Sequence, residues 1–290
     1  MTRMTGGIVA AGIIAALVLL APTADAQWPS YPTPGVPRNA DGEPVLDGPP
    51  PRTADGKVDF SGVWNRGFGG GFGGGRGRGR GRGEAPTTTP DGIPFSGFGE
   101  VAGRGYELPL QPWAADLKKR RMDDNSKDNP DVWCLPIGLM QYHNHPQPRQ
   151  IVQAPHLMLI TYESNYGLRY IYLDGRPAPD NDPQPWWFGY SRGWYEGDDT
   201  LVIETTNFYG DERAGWLDVN GSPYTDALKM TERFRRPTFG TLEIDITIDD
   251  PKAYTRPFTV RVNQRLLVDE EMIEFICNEN EQSTEHIERN

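Results

Sequence analysis

The sequence predicts an all-β fold: an antiparallel up-and-down β-barrel with one short helix and long loops. From residue 151 onward, eight runs alternate apolar and polar residues with period two, which is typical of strands with one buried face. Short turns rich in Gly, Asn or Asp separate most of these runs, as in an antiparallel meander. Closing the sheet into a barrel removes its exposed edges. The runs are 151–163, 168–174, 187–196, 200–207, 228–236, 241–249, 257–267 and 271–277.

Cross-strand chemistry predicts the register of two hairpins. When residues whose numbers sum to 476 are paired, Arg233 lies opposite Glu243 on one face and Phe234 opposite Leu242 on the other. In the next hairpin, with numbers summing to 506, the same inward face stays apolar. This face also carries Glu232, a carboxylate among apolar side chains.

Residues 1–26 have the form of a cleavable secretory signal. Arg3 precedes an apolar run over 6–21, and Ala24-Asp25-Ala26 supplies the small residues of a cleavage site. The apolar run is shorter than the ~20 residues that span a bilayer. We therefore expect a periplasmic or secreted protein, cleaved after Ala26, with no membrane insertion afterwards.

The rest of the chain divides into an arm and one domain. Residues 27–56 are rich in proline and predict an extended arm, and 57–290 predict a single β-barrel domain that opens with a short strand at 59–64. Within it, 67–84 alternates glycine with phenylalanine and then arginine, which predicts a disordered surface loop. Residues 112–128 carry the one strong helix pattern. The net charge of −11 argues against nucleic acid as a partner.

Cys134 and Cys277 are the two cysteines of the sequence. An even number in an exported protein favours a disulfide between them. A reactive or metal-binding thiol pair is the alternative, although no C-x-x-C spacing or neighbouring histidine supports it.

Several motifs, in order, resemble an uncharacterised family of exported bacterial proteins over most of 52–286. They are DGKVDFSGVW, CLPIG, IYLDGRP, GYSRGWYEGDDTLVIETTNF, DALKMTERFRR, TLEIDITIDDPKAYTRPFTV and CNEN. The Gly62-Val63-Trp64 opening before a β meander is also similar to the lipocalins and calycins, whose members mostly bind small apolar molecules. Relatives in the first family usually carry histidine where this chain has Tyr190 and Tyr224, so an acid–base or metal role of such histidines does not transfer to this chain.

Two carboxylates are candidate catalytic residues, Glu232 and Asp226. An inward Glu232 without a partner would have a raised pKa, as a general acid or base in a cavity requires. The alternative is a structural carboxylate paired with an inward arginine or tyrosine. No catalytic role is assigned beyond these candidates.

A second set of residues is predicted to bind the ligand, because aromatic rings and carboxylates can hold a partly apolar molecule. Ordinary barrel core and turn-forming aspartates are the alternatives. The set is Tyr190, Trp194, Trp216, Asp218, Tyr224 and Glu232. His143 and His145, two apart as on one face of a strand, could seat a metal, but too few further ligands are available and no metal or cofactor is predicted.

These observations predict an exported lipocalin-like protein that binds a small, partly apolar or aromatic molecule in its barrel. An extracytoplasmic hydrolase or isomerase that uses cavity carboxylates is one alternative. A surface or matrix protein that adheres through 67–84 is the other.

Overall fold

A computed structural model describes residues 31–66, 87–179, 185–210 and 215–279. The predicted signal at 1–26 and the Gly/Arg-rich loop at 67–84 lie outside these residues. Thr33–Asn290 forms one compact unit. The described strands are β1 (Gly62–Asn65), β2 (Arg149–Ala154), β3 (Leu157–Tyr162), β4 (Leu168–Tyr172), β5 (Tyr190–Glu196), β6 (Thr200–Thr206), β7 (Gly215–Trp216), β8 (Pro223–Tyr224), β9 (Lys229–Thr238), β10 (Thr241–Asp249) and β11 (Phe258–Leu267).

Nine of these strands form a closed barrel, as the sequence predicts in outline. Their order is β1-β11-β10-β9-β6-β5-β4-β3-β2, and β2 pairs with β1 to close it. One pair departs from the predicted wholly antiparallel plan, because β4 and β5 are parallel. Strand β5 therefore begins at the end of the barrel where β4 begins, which makes the barrel mixed. The remaining strands, β7 and β8, pair with each other.

The two predicted registers fare differently. The β10–β11 pairing is confirmed, with Asp245 opposite Arg261. The β9–β10 pairing is shifted by two residues, since Glu243 lies opposite Arg235 rather than Arg233. An irregularity between Thr241 and Glu243, next to the turn, offsets the register of this hairpin. Because side chains alternate with period two, a shift of two leaves each residue on its predicted face.

Two of the predicted strand runs are wrong in detail. The run at 151–163 is a hairpin, β2 and β3, that turns at Pro155 and His156. The last run, 271–277, is not a strand. It follows β11 and ends at Cys277, whose disulfide to Cys134 is present as predicted. This bond spans a sequence separation of 143 residues and, in the loop-entropy estimate, stabilises the fold by about 4 to 5 kcal/mol.

Three surface loops repeat one turn that the sequence analysis did not single out. Each has an Asp-Gly pair whose glycine lies at a φ between +81° and +87°, a region that favours glycine. Each loop also closes with an isolated antiparallel bridge. The bridges are Arg38 with Pro44, Arg52 with Val58 and Thr88 with Pro94. The described part of the arm contacts the barrel through backbone hydrogen bonds, from Phe239 N to Gly48 O at 2.7 Å and from Gly240 N to Leu46 O at 2.8 Å.

Two α-helices are described. Helix α1, Pro112–Asp123, is the predicted one, although it ends earlier than expected. Helix α2, Leu139–Asn144, was not predicted, and all six of its residues are buried. It lies against the end of the barrel where β2, β4, β5 and β9 begin and β3 and β6 end, as the hydrogen bond from His143 to Glu232 requires. We call this the helical end.

Candidate functional site

Glu232 lies inside the barrel, as its register predicts. It is 0% exposed and sits on β9 between Met230 and Phe234. Its cross-strand neighbours are Ile246 on β10 and Ile203 on β6. The predicted register, with numbers summing to 476, would have placed Ile244 opposite it. A carboxylate in such apolar surroundings is stable only with partners.

Arg169 and His143 are those partners. Arg169 on β4 donates Nη1 to Glu232 Oε1 at 3.1 Å and Nη2 to Glu232 Oε2. His143 Nε2 lies 2.7 Å from Glu232 Oε1. The three side chains are at most 1% exposed. We call them, with Ser191 and Thr205, the ion-pair core.

Two hydroxyl groups complete the coordination of Arg169. Its Nε donates to Ser191 Oγ at 3.0 Å and its Nη2 to Thr205 Oγ1 at 2.8 Å. The two hydroxyl oxygens lie 2.9 Å apart. Every nitrogen of this guanidinium therefore has an acceptor, as a buried charge requires.

The predicted rise in the pKa of Glu232 is wrong. Burial raises this pKa, but attraction to Arg169 and the hydrogen bond from His143 outweigh it, and the pKa falls to about 2. Glu232 is therefore the paired structural carboxylate that the sequence left open as the alternative. At neutral pH it is ionised and acts as a hydrogen-bond acceptor.

A second polar group lies beside the ion-pair core at the helical end. Arg149 begins β2 and pairs across the sheet with Tyr162, which ends β3. Tyr142 on α2 packs on Tyr162 with ring centroids 4.5 Å apart, and its ring centroid is 6.5 Å from that of His145. We call Tyr142, His145, Arg149 and Tyr162 the mouth cluster. All four are buried, with exposures of 1%, 5%, 1% and 3%.

The mouth cluster contains buried polar atoms without hydrogen-bond partners. They are Tyr142 Oη, both ring nitrogens of His145, Arg149 Nε and Tyr162 Oη, and the adjoining His143 Nδ1 and Gln147 Oε1 lack partners too. Each of three neighbours lies near enough to affect a pKa in the cluster: Arg169 that of Tyr162, the Ile137 backbone that of Tyr142, and Gln147 that of His145. None of them forms a hydrogen bond of normal geometry with these atoms. Such atoms are rare in folded proteins, because each costs about 1 to 3 kcal/mol when left unpaired.

Aromatic rings border the mouth cluster. Phe188 lies 5.3 Å from Tyr142 and, nearly parallel, 6.4 Å from Tyr162. Phe98, 48% exposed, lies 5.4 Å from His145. Burial lowers the pKa of His145 and raises that of both tyrosines. The cluster at neutral pH therefore presents neutral imidazole and phenol groups beside one guanidinium.

Two of the predicted ligand-binding residues face outward. Tyr190 on β5 stacks on Tyr172 at 5.1 Å and contacts Trp186. Trp194 on the same strand is 45% exposed. The strand alternation places both side chains on the outside of the barrel, away from the interior where Glu232 lies.

Three others lie together around the β7–β8 pair. Trp216 packs under the Arg121 guanidinium at 4.2 Å, and Tyr224 contacts Phe208 edge-on at 5.7 Å. Asp218 is 0% exposed and accepts hydrogen bonds from the backbone nitrogens of Val101 and Ser222. The turn-forming role that the sequence offered as the alternative describes Asp218 here.

Asp226 does not share a site with Glu232. It is an exposed residue, 2.7 Å from Lys252 Nζ in a surface ion pair. His143 and His145 also differ from expectation, because they lie on α2 and at its C-terminal cap rather than on a strand. Among the described residues no three potential metal ligands come together.

The sequence analysis missed the residues that organise this end of the barrel. Arg169 lies two residues before Ile171 on β4, and Arg149 two before Ile151 on β2, so each arginine shares an inward face with an apolar residue. This spacing in the sequence could have identified both arginines as inward-facing. The insertion of α2 was not readable, because six residues without helix caps give no helical pattern.

No protein-family model matches the chain, and neither a curated protein nor a solved structure matches it. Among the described residues, no helix is long and apolar enough to cross a bilayer.

Proposed function

We propose that the protein is an extracytoplasmic binding protein that holds a small molecule at the mouth cluster. The observation that carries the proposal is the group of unpartnered polar atoms on Tyr142, His145, Arg149 and Tyr162. A ligand that hydrogen-bonds to them would remove their desolvation penalty. The same atoms would then orient it.

The position of the cluster supports this function. It lies at one end of a closed barrel, where loops commonly form binding sites. The ion-pair core beneath it fixes β4, β9 and α2 to one another through Arg169, Glu232 and His143. A site with rigid support holds its polar groups in place before the ligand arrives.

Export is part of the proposal. The Cys134–Cys277 disulfide agrees with an oxidising compartment, periplasmic or secreted. The signal at 1–26 remains a prediction.

Native mass spectrometry of protein purified from its own export compartment tests the proposal. We expect wild-type protein to carry a bound molecule and the Tyr142→Phe/Tyr162→Phe variant to lose it. Tyr254→Phe is the matched control, since its buried hydroxyl already donates to Pro223 O at 2.8 Å. An adduct that the double variant retains, or none in the wild type, would contradict the proposal.

An acid–base enzyme is the second candidate, and His143 favours it. One imidazole nitrogen bonds Glu232 while Nδ1 is unpartnered, an arrangement in which a carboxylate orients a histidine base. Under this alternative His143→Gln would retain a molecule of different mass from that held by the wild type. Identical masses would leave the binding protein as the better description.

A further inference from the structure

Arg149 is a buried charge that no carboxylate neutralises. Its guanidinium donates from Nη1 to His143 O at 3.1 Å and from Nη2 to His145 O at 3.2 Å. Its Nε is buried and has no partner. The carbonyls at the end of α2 carry only partial negative charge, so they balance only part of this charge.

Two other buried arginines, Arg169 and Arg236, have a hydrogen-bond acceptor for every guanidinium nitrogen. Arg169 has Glu232 and two hydroxyl groups. Arg236, also without a carboxylate, donates from all three nitrogens to backbone carbonyls and stacks on Trp64 at 4.8 Å. Of the three, Arg149 alone has a guanidinium nitrogen without an acceptor.

The charges around Arg149 leave the mouth cluster positive. Burial lowers the pKa of Arg149, and the nearby positive charge of Arg66 lowers it further. Arg66 itself donates to Asn144 Oδ1 at 2.7 Å. Asp131 lies 3.9 Å from His145 Nε2, not in an ion pair with Arg149, and is partly exposed. Arg169 and Glu232 cancel each other. One buried positive charge is therefore without a counterion, and a singly charged anion would supply it.

The rings and hydroxyl groups around Arg149 indicate which kind of anion would fit there. Tyr142, Tyr162 and Phe188 form an aromatic wall whose centroids are 4.5 to 6.4 Å apart. Such a wall favours a planar ring in offset or edge contact. The unpartnered phenol hydroxyl groups are hydrogen-bond donors, and a carboxylate accepts several such bonds.

We infer that the molecule held at the mouth cluster is a small aromatic carboxylate. Its carboxylate accepts hydrogen bonds from Arg149 Nε and from the Tyr142 and Tyr162 hydroxyl groups, while its ring packs against Phe188. This inference rests on the proposed binding function and adds the charge and shape of the ligand.

Ligand-induced shifts in melting temperature test it on full-length mature protein. The probes are benzoate, 4-hydroxybenzoate, phenylacetate and 1-naphthoate, each compared with its neutral amide, and acetate as an acid without a ring. We expect at least one aromatic acid to bind at least tenfold more tightly than its amide and than acetate. Tenfold corresponds to about 1.4 kcal/mol.

Two variants and a control assign the preference to the mouth cluster. Arg149→Gln is expected to bind acid and amide alike. Because Arg149 also holds α2 through its hydrogen bonds, Arg149→Gln could change the fold, and Tyr162→Phe is the milder test. It removes one hydroxyl group that has no partner in the protein and should weaken binding of the acid about tenfold. Arg192→Gln, in a surface pair with Glu204, is expected to leave binding unchanged.

The outcomes separate this inference from the proposed function. If the amides or acetate bind as tightly as the acids, or if the ligand in the native mass spectrum is neutral, the inference is wrong while the binding function stands. If no probe binds and no molecule is retained, both are wrong. An acid preference that Tyr162→Phe leaves intact would also contradict the inference.

Discussion

The ion-pair core and the mouth cluster lie side by side at the helical end, and they differ in how completely their polar groups are paired. Both are buried and both combine arginine with histidine. In the core, Arg169 and Glu232 have partners for their charged atoms. In the mouth cluster, Arg149 and His145 retain unpartnered nitrogens. The first arrangement stabilises a fold, and the second is suited to a ligand.

Removing one member of the ion-pair core should have the largest effect. Glu232→Gln leaves Arg169 as an uncompensated buried charge, and we expect a loss of roughly 3 to 5 kcal/mol in the free energy of unfolding. Urea denaturation measures it. Glu204→Gln, which breaks the part-exposed pair with Arg192, is the control and should cost about 0 to 1 kcal/mol. Equal losses would mean that the core is no more important than a surface pair.

The pH dependence of stability should show two windows, one from Glu232 and one from the two buried histidines. The pKa of Glu232 is lowered from 4.5 to about 2, so its contribution is complete above pH 4.5 and is lost as the pH falls towards 2. Burial also lowers the pKa of His143 and His145, so stability begins to fall below 6.5. Urea titrations at several pH values should show both windows. Glu232→Gln should lack the lower one, and an unchanged slope there would contradict the assignment.

Crowding the aromatic wall should have an intermediate effect. A Cβ at Gly167 would lie 2.9 Å from Tyr162 Cδ2 and 3.1 Å from the Tyr142 ring. Gly167→Ala is therefore expected to cost about 1 to 3 kcal/mol and to weaken ligand binding. Gly48→Ala, where a Cβ meets nothing within 4 Å, is the control. A neutral Gly167→Ala would show that the rings can move apart freely.

The sequence predicted the features that follow from period-two alternation. It did not predict the segments between strands, namely helix α2 and the connection from β4 to β5. Alternation placed Glu232 inside and fixed the β10–β11 register. It did not reveal the parallel β4–β5 pair, because the 17 residues over 173–189 are too long a connection for a hairpin turn to fix the direction of the next strand. The pairing of Arg169 with Glu232 was not predicted either. The two residues are distant in sequence, and only the order of the strands in the barrel brings β4 close to β9. Helix α2 is held by burial rather than by its own propensity.

The central claim, that the mouth cluster is built for a ligand, is tested most directly by comparing two buried hydroxyl groups. Protein stripped of ligand by unfolding with its disulfide intact, and then refolded, should lose less than about 0.5 kcal/mol on Tyr162→Phe, because that hydroxyl has no partner. Tyr254→Phe should lose about 1 kcal/mol, because its bond to Pro223 O is broken. With ligand retained, Tyr162→Phe should become the more damaging change. Equal losses for both variants in the stripped protein, with no change on ligand binding, would contradict the account.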